Sequence, residues 1–252
     1  MNKTLLLATL SSLLMLIPSS HAQTQTFKTG LEVMQAIEAR PKPKTSVGTI
    51  TLEITKNGQT LTRSLKSWST NDRSLVKFLA PADVKGSGLL TVKVSGVNET
   101  KLYLPALGRT RRLATGGGDS SDCDGAFFGS DFSYCDLGSF ELEDYSYTLT
   151  SSANKKYTVE AKPKRGGSFE KLVFEIDAKT LNTLKTDYYK GTVVFKTLWA
   201  LELDKIKNYN VVKTLSMETP SQDSKSTFRQ TGLELDVSVA DSVFTERFLR
   251  QP

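Results

Sequence analysis

Ile50, Leu52 and Ile54 are apolar, while Thr49, Thr51, Glu53 and Thr55 around them are polar. That period of two marks a strand with one buried face. Asn57-Gly58 follows, the dipeptide that most favours a two-residue hairpin turn, and TLTRSLKSW returns from it. A turn at 69–72 leads into RSLVKFL. The same manner continues through GLLTVKVSG, TKLYLPAL, SYTLTS, KYTVEAK, KLVFEIDA, TLKTDYYK, GTVVFKTLWALEL, NVVKTLSME and STFRQTGLELDVSV. About eleven strands joined by hairpin-sized connections predict a continuous antiparallel meander. Such a sheet has to curl into a barrel, half-barrel or sandwich to bury its apolar face.

One helix is predicted ahead of the meander. Leu31, Met34 and Ile37 with Val33 set an apolar stripe, Thr29 or Gly30 caps it, and Pro41 and Pro43 stop it. It is a natural lid or plug for a curled sheet. DSVFTERFLRQP at the other end reads as a last short helix or strand, with Phe244 and Phe248 four apart. No linker composition or solenoid-length repeat divides the chain.

The first residues have another character. Lys3, an apolar run over 5–17 and the small residues Ser20 and Ala22 around His21 form a secretory signal with its cleavage site. The run is too short to span a bilayer, which takes about 20 apolar residues. The expected organisation is a signal peptide over 1–22 and a single domain over 23–252, exported in soluble form to the periplasm. Cleavage removes His21, the only histidine of the 252 residues. A Ser-His-Asp or Cys-His nucleophile and a His-ligated metal are thereby excluded. The commonest general base is gone, so binding is expected rather than catalysis, with no cofactor and no metal. The net charge of +6 is spread along the chain without a basic helix or an RNA-reading motif. Nucleic acid is therefore not an expected partner.

Candidate chemistry gathers in RTRRLATGGGDSSDCDGAFFGSDFSYCDLG, residues 109–138. Gly116, Gly117 and Gly118 lack the Lys-Ser/Thr ending of a phosphate-binding loop. Ser120, Asp122, Asp124, Gly125 and Asp131 echo the spacing of a calcium loop, but no helix flanks them. Asp131 and Asp136, or Glu141 and Glu143, have the residue types of a glycosidase pair, and equally those of solvated charges or of partners for Arg109, Arg111 and Arg112. Alternation places Arg109 and Arg111 on one strand face and Arg112 on the other. Arginine forks suit a phosphate or carboxylate, whether of a ligand or of those aspartates. Phe127, Phe128, Phe132 and Tyr134 fold back over an apolar space, either as core or as the entrance for an acyl chain. Cys123 and Cys135, the only two cysteines, are expected to form a disulfide in an oxidising compartment.

LYLPALGRTRRL, FFGSDFSYCDL and DSVFTERFL, supported by FLAPADVKGSGLL, DAKTLNTLKTDYY and NVVKTLSMET, closely resemble the outer-membrane lipoprotein-sorting, LolA-like periplasmic proteins of Gram-negative bacteria. The resemblance runs from about Thr29 to Leu249. The family pattern has an acidic residue where this chain has Cys135. The resemblance implies a mainly β (α+β), LolA/LolB-like incomplete antiparallel β-barrel of about 11 strands with covering helices. Its concave face takes acyl chains of lipid or lipoprotein. Arg111, Arg112, Phe127, Phe128, Phe132 and Tyr134 are then the ligand-binding candidates. Companions of this kind include RND/MMPL-type inner-membrane transporters and outer-membrane acceptors. The related RseB-like sensors imply the alternative, a module that binds a signalling or transport protein without carrying cargo.

Overall fold

The structure is a computed structural model and describes residues 26–113, 125–137 and 140–251; the expected signal peptide lies outside them. Its strands are β1 (Thr45–Lys56), β2 (Gln59–Thr70), β3 (Arg73–Ala80), β4 (Gly88–Val94), β5 (Val97–Leu104), β6 (Arg109–Leu113), β7 (Tyr145–Ala153), β8 (Lys156–Pro163), β9 (Lys171–Asp177), β10 (Thr183–Lys190), β11 (Val193–Ile206), β12 (Tyr209–Thr219) and β13 (Ser224–Leu235). They form one antiparallel sheet in the order β6-β5-β4-β3-β2-β1-β13-β12-β11-β10-β9-β8-β7. The expected incomplete antiparallel barrel is present, with thirteen strands in place of about eleven. β6 is a strand of its own because the single turn Pro105–Leu107 and Gly108, at φ +60, fold RTRRL back on LYLPAL, setting Arg111 opposite Leu102. The Asn57-Gly58 turn behaves as its composition requires, with positive φ at both residues.

This order has a topological consequence. β1 and β13 pair at the centre, with Leu52 opposite Phe228. The chain winds outward to the edge β6, then travels to the opposite edge β7 and winds back. The described residues 125–137 lie on the stretch of chain that joins these two edges.

Cross-strand partners trace one apolar face through the sheet. Phe228 faces Leu215, Met217 faces Leu198, Leu198 faces Thr186, Thr186 faces Phe174 and Phe174 faces Val159. Two elements cover this inner face. Helix α1 (Gly30–Glu38) buries Val33 and Met34 against Tyr157, Val159 and Ile176, about 1.5–3 kcal/mol for each side chain so removed from water. Thr29 starts it with a full capping box, its hydroxyl accepting from the Glu32 amide while the Glu32 carboxylate accepts from the Thr29 amide. Leu31, expected in the buried stripe, is instead exposed, and Ile37 is half-buried. Gly30 allows the close approach, since a Cβ there would meet the Thr148 carbonyl carbon at 2.8 Å. The second cover is the crossover segment.

The outer face is covered elsewhere. Asp241–Phe244 and α2 (Glu246–Leu249) lay Phe244, Phe248 and Leu249 over Trp68, Leu75 and Leu90. The expected terminal helix or strand is thus a short helix.

Candidate functional site

Between the two edges, residues 125–137 form a compact plug over the inner face of β1–β6, β12 and β13. Ala126 bridges Ser133, the Phe127 amide donates to the Phe132 carbonyl at 2.7 Å, and the Tyr134 amide donates to the Gly125 carbonyl at 3.1 Å. The tip turns through Phe128 (φ 49) and Gly129 (φ 79). A left-handed phenylalanine is costly, on the order of 1–3 kcal/mol, and persists only where its surroundings impose it. Here the imposing group is Arg63 of β2, whose Nη1 donates to the Phe128 carbonyl, with Phe78 packed 4.2 Å from the Phe128 ring.

Two further tethers hold the plug down. The Asp131 carboxylate accepts from the hydroxyls of Ser224 (3.0 Å) and Ser226 (2.6 Å) on β13, while its amide donates back to Ser226 Oγ. Asp136 pairs with Lys196 of β11, both side chains nearly buried, and also accepts from the Ser133 amide and hydroxyl. Tyr188 lies in the same pocket with the Lys196 ammonium 4.8 Å from its ring. Burial, and after it the Asp136 charge, pushes the Tyr188 phenol well above its ordinary range, so it stays a neutral donor.

The candidates from the sequence divide cleanly. Phe127 and Phe132 are buried: Phe127 packs among Phe78, Phe128 and Tyr134, and Phe132 lies 4.4 Å from Phe228. Phe128 and Tyr134 are half-buried. Arg111 faces inward; its charge and that of Arg63 oppose the upward shift that burial imposes on the Tyr134 phenol. Arg112 sits on the outer face, opposite Lys101, and its Nη2 lies 2.8 Å from Glu99 Oε2. Alternation anticipated that split. The expected pairing of arginines with Asp131 and Asp136 is not what the structure has: serines and Lys196 take those carboxylates. Gly116, Gly117, Gly118, Ser120, Asp122, Asp124 and Cys123 lie outside the described residues. Cys135 is disulfide-bonded.

Arg63 and Lys196 were missed. Each is a cation at an inward-facing position of an otherwise ordinary strand. Burial lowers the Arg63 guanidinium from its usual range, and its Nε has no hydrogen-bond partner among the described residues.

Plug and helix do not meet over the whole inner face. Between them Ile50, Phe228, Leu215 and Leu198 run across β1, β13, β12 and β11 and stay half-buried. The site is therefore an apolar strip with a tethered polar-anchored cover on one side and a helix on the other. It offers burial to an apolar chain.

Comparisons with known proteins agree with this geometry. A family model described as that of an uncharacterized protein matches residues 70–251. No curated protein matches the chain. The structure is similar to that of a DUF1329 family protein from Desulfovibrio piger, with a TM-score of 0.80 and 26% identity over 87% of this chain and 97% of that one. It is also similar to a structure described as an outer membrane lipoprotein-sorting protein domain from Vibrio parahaemolyticus, with a TM-score of 0.78 and 25% identity over 88% and 98%. A LolA superfamily protein from Nitrosomonas europaea shares the fold at a TM-score of 0.68 and 16% identity, over 88% of this chain and 100% of that one. The chain belongs to the family whose model spans residues 70–251, and its fold is LolA-like.

Proposed function

We propose that this protein is a non-catalytic periplasmic carrier. It holds an acyl chain of a lipid or lipoprotein on the inner face of the half-barrel for transfer towards the outer membrane. The observation that carries the reading is the half-buried strip of Ile50, Phe228, Leu215 and Leu198 between plug and helix. Each methylene laid on it gains about 0.8 kcal/mol by leaving water. Phe128, Tyr134 and Arg111 form the plug-side border of the strip, with Phe127 and Phe132 backing them.

Handover demands reversible binding, and the plug is suited to it. Its footing is a few polar tethers, from Arg63, Ser224, Ser226 and Lys196, so small displacements expose or cover the strip. A disulfide between Cys123 and Cys135 closes the plug covalently in an oxidising compartment, in keeping with the proposed signal peptide over 1–22. Cargo would come from an inner-membrane transporter of the RND/MMPL class and pass to an outer-membrane acceptor.

Native mass spectrometry of the protein purified from its own periplasm, followed by organic extraction, tests this reading. A stoichiometric acylated species is expected. A clean unliganded mass that takes up no added phospholipid or lipopeptide favours instead a sensor or accessory module without cargo.

A further inference from the structure

At one end of the inner face, where plug residues 130–133 meet the β10–β11 turn, lies a cavity of about 200 Å³. By volume it has room for several water molecules, each taking about 30 Å³. Phe132, Phe169 and Phe195 supply its apolar walls. Two charges at its edge are already satisfied inside the protein. Lys196 pairs with Asp136, and the Asp131 carboxylate takes the hydroxyls of Ser224 and Ser226.

Lys190 is different. It ends β10 and is exposed, and its Nζ stands 4.0 Å from the Phe195 ring centroid and 5.7 Å from that of Phe169. No carboxylate lies within salt-bridge distance of it among the described residues. Ser168 and Gln222, which also line the cavity, make no side-chain hydrogen bond among the described residues. Lys164 and Arg165, in the β8–β9 connection that supplies Ser168, are likewise without ion pairs there and outnumber Glu170. An ammonium, a hydroxyl and an amide thus line a cavity with aromatic walls, and the carboxylate in that lining, Asp131, is already held by Ser224 and Ser226. That donor set matches a phosphate or carboxylate carried on an apolar chain.

We propose that this cavity binds the anionic head group, a phosphate or carboxylate, of the amphiphile whose chain lies on the inner face, through Lys190, Ser168 and Gln222. The proposal rests on the carrier reading and sharpens it: cargo is selected by head-group charge as well as by chain. The aromatic walls hold the first methylenes, and the plug residue Phe132 joins the cavity to the strip.

The test uses the purified protein and three probes: palmitoyl lysophosphatidylglycerol, uncharged monopalmitoylglycerol and inorganic phosphate. Lys190→Gln is compared with wild type; the side chain is exposed, so the fold is retained. The variant is expected to lose about tenfold in affinity for the charged lipid, the size of one charge-assisted hydrogen bond, and to bind the uncharged lipid as wild type does. Added salt narrows the wild-type preference. Ser168→Ala lowers affinity for the charged lipid in the same selective way. Equal binding of both lipids by wild type, unchanged in Lys190→Gln, overturns the head-group site and leaves the carrier reading standing. Binding of neither lipid sinks the carrier reading itself. Binding of inorganic phosphate that Lys190→Gln abolishes, without preference for the charged lipid, overturns the assignment in favour of a free anion.

Discussion

Lys196 Nζ and Asp136 Oδ2 meet 2.5 Å apart, sixty residues separated in sequence, with side chains only 4% and 8% exposed. One belongs to a sheet strand and the other to the stretch of chain joining the two edges of the sheet. The pair ties the crossover to β11 beside the apolar strip.

Removing one member of such a pair leaves the other charge buried and unpaired. Lys196→Met is expected to cost about 3–5 kcal/mol, read as a lower denaturation midpoint in urea. Joining it with Asp136→Leu should restore much of that loss, because two desolvated charges leave together. Strictly additive losses in the double variant would show that the two groups do not act as a pair.

Leu215 tests the strip from a sheet strand. It is half-buried between Phe228 and Ala200 on the inner face. Leu215→Asp places a carboxylate where methylenes are proposed to lie, and uptake of a palmitoyl lipid should fall at least about tenfold, the penalty of leaving a charge against an apolar chain. Circular dichroism checks that the sheet persists. Undiminished uptake by a folded variant would remove Leu215 from the site.

The proposed Cys123–Cys135 bond predicts a chemical pattern. Neither thiol of the folded, oxidised protein should react with iodoacetamide until a reductant is added, and both should then react together. Replacing both by serine is expected to cost about 2–4 kcal/mol, as for other short disulfide loops. Alkylation of a single cysteine without reductant would exclude the bond.

The outer face has its own acid response. Hydrogen bonding from Lys101, then from Thr110, followed by the Lys101 charge and a hydrogen bond from Arg250, holds the Glu246 carboxyl below its ordinary value of 4.5. Its folded value is depressed, so its stabilising contribution is complete above the unfolded value and is lost as pH falls through the folded one. The gap in stability between wild type and Glu246→Gln should therefore close as pH drops below 4.5. Glu246 is partly exposed, so the gap is small and salt-sensitive. A gap independent of pH across that range would contradict the assignment.

Much of this architecture was legible because it rests on local rules. The hairpin at Asn57-Gly58 needs two positive φ values, and the dipeptide announces them. Thr29 announces the helix start, and alternation alone separated Arg111 from Arg112. Other features depend on registers that no single strand reveals. Leu31 fits a helical stripe as well as Val33 does, yet the helix rolls onto β7 and β8 because Gly30 lies on the backbone near Thr148. Arg63 and Lys196 are lone cations in strands, and only the paired sheet shows that both point inward. Asp131 and Asp136 stood out as charges, but their partners lie on β13 and β11, far along the chain. The C-terminal cover was readable as a segment and not as belonging to the outer face.

The most direct test of the carrier account is to map where a bound chain lies. A phospholipid bearing a photoreactive group midway along its acyl chain would be bound, irradiated and located by peptide mass spectrometry. Adducts on Leu198, Leu215 or Phe228 are the predicted result, lost when an unlabelled lipid competes. Specific adducts confined to the outer face, around Trp68 or Leu90, or no saturable adduct at all, would contradict the account.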